Sequence, residues 1–211
     1  MDRSRRTRRV AVNQRGVVMQ STMLDSPSAR HSEPGGHLGE EPNWPVGLRG
    51  RYQLAESEMT LREGLAEYYE VNPGLSNPAN VSDAKSAAYF HCHDCTHVIF
   101  GTHTGLLDEV INDLWTLFGV SVPYRDFIFG FFATDEGKKI TKAFEWWETL
   151  KQAARGMRLL GDVRRRGRAM TRKWPWNPPE GALDRSLVDL RQEYGIRILH
   201  PEATLAEKVG T

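Results

Sequence analysis

The sequence predicts an all-α fold, a helical bundle containing one tight αα-hairpin. Three observations lead there. Apolar residues recur at three- and four-residue steps along several stretches, the period of a buried helix face. Helix-end signals bracket those stretches: Thr60 with Glu63 at one start, and Gly101 and Gly195 at two stops. No alternating run with a hairpin turn competes with them, so no sheet is expected.

Residues 1–50 read as a disordered arm. Arg3, Arg5, Arg6, Arg8 and Arg9 make it basic, and the Ser-, Pro-, Gly- and His-containing stretch through Pro45 has no apolar period from which to build a core. It lacks the hydrophobic centre of a secretory signal. Residues 51–211 read as a single helical domain.

The first helix starts in the capping box of Thr60 and Glu63, carries Leu65, Tyr68 and Tyr69, and stops at Asn72-Pro73-Gly74. A second starts near Ser82 and runs to Phe100, with Gly101 as its C-terminal cap. Thr104 and Gly105 precede a third, from Leu106 through Phe118. Ile140, Phe144, Trp147, Leu150, Ala154 and Met157 form the stripe of a long amphipathic helix from about Gly137 to Leu160. That stripe is expected to face the core rather than a membrane surface. The final helix spans Asp184 to Tyr194 and ends at Gly195.

Composition narrows the function classes. With 211 residues, 39% hydrophobic and 26% charged, the chain is an ordinary globular protein able to bury a core. A net charge of +1 gives no overall attraction to nucleic acid, and none is expected as a partner. The apolar run Phe127 to Ala133 is far short of the roughly 20 residues a membrane-spanning helix needs. Two cysteines, Cys92 and Cys95, make no disulfide framework and suit a reducing, cytoplasmic setting. With no second pair to complete a thiolate site, they read as packing residues. Arg155, Arg158, Arg164, Arg165, Arg166, Arg168, Arg172 and Lys173, followed by Trp174-Pro175-Trp176, read first as a solvated face. The rival is peripheral contact with the inner membrane face through basic charge and interfacial aromatics.

The chemistry concentrates between residues 91 and 109. Of seven histidines, four stand at 91, 93, 97 and 103. His93 and His97, four apart, share one helix face, and Asp94 lies about 100° round from His93. On one unbroken helix Glu109 would be roughly 18 Å beyond His97, at 1.5 Å per residue. The turn at Gly101–Gly105 removes that separation and folds Glu109 back, so that His93, Asp94, His97 and Glu109 become candidate ligands of one divalent metal. Two imidazoles with one or two carboxylates suit zinc and suit iron, cobalt or manganese as well, since ligand type separates these poorly. The alternative is a hydrogen-bonded His-Asp couple in a polar pocket. His91 and His103 read as solvated or core histidines.

The string His93-Asp94-x-x-His97, eleven residues, then Glu109 resembles the signature of the Coq-four family of ubiquinone (coenzyme Q) biosynthesis. Val98-Ile99-Phe100-Gly101, the segment Asp126 to Phe132, and Leu187, Leu190, Arg191, Gly195 and Ile196 are similar to its pattern as well, so that the likeness covers roughly residues 85 to 200. The resemblance implies that His93, Asp94, His97 and Glu109 are both the ligands and the catalytic residues, with zinc as the usual metal. It implies a para-hydroxybenzoate-derived polyprenyl precursor as substrate, oxidative decarboxylation at ring carbon one, and an organising role among other quinone-biosynthesis enzymes. Phe127, Phe129, Phe131 and Phe132 could line an isoprenoid groove, although core packing explains such residues more often. The competing class is a non-enzymatic lipid-binding scaffold with a structural zinc; a homodimer is compatible with either.

Overall fold

The structure is a computed structural model that describes residues 47–73, 75, 83–134 and 146–209, with the backbone alone at Tyr124, Phe131, Phe132, Trp146 and Val209. The arm expected over residues 1–50 lies almost wholly outside the described residues. Among these, eight α-helices and no strand are found: α1 (Leu61–Val71), α2 (Ala84–Phe100), α3 (Leu106–Gly119), α4 (Tyr124–Ala133), α5 (Trp146–Met157), α6 (Leu160–Ala169), α7 (Leu187–Tyr194) and α8 (Pro201–Val209). The fold is all-α, as the sequence predicts.

Local chemistry explains the helix ends. Thr60 and Glu63 close a reciprocal capping box on α1, and the Asp83 carboxylate accepts from the amides of Lys85 and Ser86 to start α2. Gly101 ends α2 at φ 71° and ψ 31°, a left-handed conformation that costs glycine no Cβ clash. Ser186 caps α7, so this helix begins three residues later than the sequence suggested, after a 3-10 turn at Ala182–Asp184. It is not the last helix either. Pro201, whose missing N–H is no loss in a first turn, opens α8.

Helix α3 lies at the centre, against α2 on one side and α5 and α6 on the others, while α1 covers α2. Phe100 and Trp115 stack at 4.6 Å between α2 and α3 within a continuous core that includes Ile99, Ile111, Leu159 and Leu190. Two isolated backbone bridges, Thr60 to Ser186 and Val120 to Trp174, tie the start of α1 to α7 and the end of α3 to the segment after α6.

The helix α5 departs from expectation. Ile140 and Phe144 lie outside the described residues, and Trp147, Leu150, Ala154 and Met157 face solvent instead of the core, with Trp147 75% exposed. The face turned to α3 is the small one, Ala153 and Gly156. A Cβ at Gly156 would overlap Val110, so the close approach of α5 to α3 selects the side without bulk. The aromatic pair after α6 is also placed differently. Trp174 is fully buried against Tyr194, and Trp176 is half-buried against Tyr89 and Phe127, so neither is free to sit in an interface. The arginine-rich stretch itself begins as helix α6, with Val163 and Gly167 turned inward and Arg164, Arg165 and Arg168 outward.

The C-terminal end of α2 is secured from α7. The Arg191 side chain is 3% exposed and its guanidinium donates to five carbonyls: Ile99 at 2.9 Å, Val98 at 2.9 Å, Tyr52 at 2.6 Å, Leu54 at 2.5 Å and Ala55 at 3.4 Å. Burial pushes its pKa down to about 10, which leaves it charged at neutral pH, at the negative end of the helix. Replacing it by methionine would strand several buried acceptors, each worth about 1–3 kcal/mol. Arg191→Met is therefore expected to lower stability by about 3–5 kcal/mol in denaturant unfolding, and a loss below about 1 kcal/mol would contradict this role.

Candidate metal centre

The hairpin of α2 and α3 assembles the site. His93 and His97 stand one helical turn apart on α2, and the turn Gly101–Gly105 returns Glu109 in the first turn of α3. Five hydrogen bonds fix this turn. Gln53 Nε2 donates to the Gly101 carbonyl at 3.2 Å, the Tyr52 hydroxyl to the Thr102 carbonyl at 3.2 Å, and the Thr104 hydroxyl to Asn72 Oδ1 at 2.7 Å. The His103 amide donates to Asp108 Oδ1 at 3.1 Å and the Gly105 amide to His103 Nδ1 at 2.8 Å.

One ligand atom each from His93, His97 and Glu109 lie within 4.8 Å of one another, close enough to share one ion. His97 Nε2 is 3.3 Å from Glu109 Oε2, and the two imidazoles meet edge to face at 4.8 Å. Asp94 is not in this group. Its Oδ2 accepts from the Tyr69 hydroxyl at 2.7 Å and its Oδ1 stands 3.9 Å from His93 Nδ1, so it acts on His93 from behind.

The donor set fits a divalent cation. His97 is fully buried, and its Nε2 has no hydrogen-bond partner among the described residues; the contact with Glu109 has the distance of an ion pair without hydrogen-bond geometry. A buried ring nitrogen facing a carboxylate in this way is satisfied by a cation between them, or by a proton on the ring. The site is open on one side: the Glu109 side chain is 36% exposed, whereas His97 is sealed. Among the described residues three protein donors come together, the number that leaves room for a further ligand.

Electrostatics couple these groups. Burial alone would lower the His93 pKa, but the carboxylates of Asp94, Glu109 and Asp113 outweigh it and hold the ring above the ordinary imidazole value. Close packing by its surroundings would raise Glu109, and the imidazoles of His97, His93 and His103 hold it below the usual carboxylate range. His103 belongs to the turn. Burial, with Arg49 and His97 nearby, pushes it down to about 4, and its neutral ring sits 3.3 Å from Asp108, itself pushed up to about 6 by burial.

Aromatic rings flank the site. Tyr89 and Phe127 lie nearly parallel to His93, at 6.4 Å and 6.1 Å between centroids, and Trp176 contacts both. Of the phenylalanines weighed for a groove, Phe127 is buried in this cluster, Phe129 is exposed, and the side chains of Phe131 and Phe132 lie outside the described residues. Cys92 and Cys95 are buried free thiols, their pKa values pushed up by burial, which suits packing rather than redox work.

Sequence reasoning overlooked Tyr69, Thr96, Thr102 and Asn112, the polar residues that touch the candidate ligands or their neighbours. One signal was present: Asn112, three residues after Glu109, continues a polar line with Asp108 and Thr116 along the buried side of α3. Comparison with family models, with curated proteins and with solved structures finds no match.

Purified protein is expected to bind one divalent ion per chain in metal titration, with binding abolished in His97→Ala and in Glu109→Ala. Asp94→Asn should weaken it by about 10–100-fold, and Cys92→Ser and Cys95→Ser should not. Protons compete for His93, so affinity should fall on acidification starting above pH 6.5. Metal retained in both alanine variants would contradict the assignment.

Proposed function

We propose that the chain is a divalent-metal enzyme of quinone biosynthesis, acting on a carboxylated, para-hydroxybenzoate-derived polyprenyl precursor. The observation that carries the reading is the convergence of His93, His97 and Glu109 on one open position, in the spacing that resembles the Coq-four signature. Bound there, a divalent ion, zinc if the resemblance holds, would supply Lewis acidity toward a ring hydroxyl or carboxylate, while an oxidation would need dioxygen, another enzyme or a redox metal in its place. The chain's own residues account for the rest. Tyr89, Phe127 and Trp176 offer an apolar, π-faced wall suited to an aromatic ring, and the partly exposed Glu109 marks the side from which a ligand can enter. Asp94 and Tyr69 hold His93 from behind. The open position favours an enzyme over a lipid-binding scaffold with a structural zinc.

A polyprenyl substrate resides in a bilayer, and the surface offers a means of reaching one. Trp147, Leu150 and Met157 project from α5, and Arg158, Arg164 and Arg168 follow them, exposed and in no ion pair among the described residues. Apolar side chains beside basic ones are the composition of a peripheral contact with anionic lipid. No described helix is long and apolar enough to cross a membrane.

Protein loaded with a redox metal such as iron or manganese and incubated aerobically with a carboxylated polyprenyl-phenol is expected to release carbon dioxide and yield the ring-hydroxylated product, with dioxygen taking up the two electrons as hydrogen peroxide. Intact substrate beside metal-loaded protein would instead favour the scaffold. In co-sedimentation, the protein should bind vesicles containing anionic lipid, with binding reduced several-fold in Trp147→Ser/Met157→Ser; equal binding by both would place the contact elsewhere.

A further inference from the structure

The residue that prepares both histidines lies on the opposite helix. Asn112 is fully buried in α3, and its amide meets three groups: Nδ2 is 2.9 Å from Thr96 Oγ1 and 3.4 Å from His93 Nε2, and Oδ1 is 3.4 Å from Thr102 Oγ1. The Thr102 hydroxyl is in turn 3.0 Å from His97 Nδ1.

Counting donors and acceptors gives one set of directions that satisfies every group in the chain of contacts. The Thr96 hydroxyl donates to the His93 carbonyl at 2.6 Å, so its oxygen must accept, and the Asn112 NH2 group must face it. Asn112 Oδ1 then faces Thr102, whose hydroxyl has one proton and supplies it to this otherwise unpaired acceptor. With its proton there, Thr102 Oγ1 accepts from His97 at 3.0 Å, which places a proton on Nδ1 and leaves Nε2 to the cation or proton it shares with Glu109. The second Asn112 proton points toward His93 Nε2, which keeps a lone pair there also, with Nδ1 on the Asp94 side.

We infer that Asn112 is a positioning residue that sets the tautomers of His93 and His97, through direct contact with one and through Thr102 with the other, so that both Nε2 atoms face the centre as electron-pair donors. This deepens the metal-site reading and rests on it for its purpose, while the tautomers themselves belong to the metal-free protein. Asn112→Leu keeps the volume and frees the Thr102 hydroxyl to donate to His97 Nδ1, which moves the ring proton to Nε2. Asn112→Asp keeps the acceptor for Thr102 and loses only the donor side, so His97 should retain its proton on Nδ1.

The test is 15N NMR of the imidazoles at pH 8 in metal-free protein, paired with cobalt titration. Wild type and Asn112→Asp are expected to show His97 protonated at Nδ1. Asn112→Leu and Thr102→Val should lose that signature, and both should bind cobalt about 10–100-fold more weakly, the usual effect of removing an outer partner of a ligating histidine. A wild type without the His97 Nδ1 proton, or an unchanged His97 tautomer in a folded Asn112→Leu, overturns the inference, whether or not metal binds. Loss of cobalt binding in the wild type with the expected tautomers intact would overturn the metal reading instead. Should Asn112→Leu fail to fold, Asn112→Asp and Thr102→Val decide the matter alone.

Discussion

The candidate centre depends on the way α2 stops. A helix ends with unpaired carbonyls, and here they must end inside the protein, because α3 turns back against the same helix to bring Glu109 opposite His97. Arg191 resolves the conflict. Its charge sits among the carbonyls of Val98 and Ile99 and those of the segment Tyr52 to Ala55, and that segment supplies two of the side chains, Tyr52 and Gln53, that hold the turn. One cation thereby links α7, the segment Tyr52 to Ala55 and the hairpin. The left-handed Gly101 gives the chain its direction at this point, and the guanidinium makes burial of that direction affordable in free energy.

From this support the site inherits its asymmetry. His97 is sealed between Tyr68, stacked at 5.4 Å, and the core, whereas Glu109 reaches toward solvent. Groups on the sealed side are all engaged: Thr102 on His97, Asn112 between the helices, Tyr69 on Asp94. Tyr89 and Phe127 add aromatic faces beside His93. A rigid, hydrogen-bonded rear and an accessible front are what a metal site needs in order to bind a ligand without losing its own geometry.

How much of this was legible in the sequence follows from the range of the interactions. Caps and the glycine stop are local, so the capping box at Thr60, the end of α2 at Gly101 and the hairpin that returns Glu109 could be read directly. Arg191 could not, because its partners lie some ninety to one hundred and forty positions away. Periodicity revealed the stripe on α5 but not its direction; that was settled by Gly156, which lets α5 approach α3 only on the small face. The short helices α6 and α8 were hidden by arginines and by a proline that reads as a breaker in isolation. Asp94 and Asn112 show the same limit at the site. Residue type suggested a carboxylate ligand, while the geometry puts Asp94 behind His93 and an amide between the two helices.

The proposed chemistry requires that two imidazoles and one carboxylate hold a divalent ion between α2 and α3. X-ray absorption at the edge of the bound metal reads that shell directly. The predicted result is two imidazole scatterers with oxygen donors at about 2.0–2.2 Å and no sulfur, the open position filled by solvent. A sulfur shell at about 2.3 Å, which would bring Cys92 or Cys95 to the metal, would contradict it.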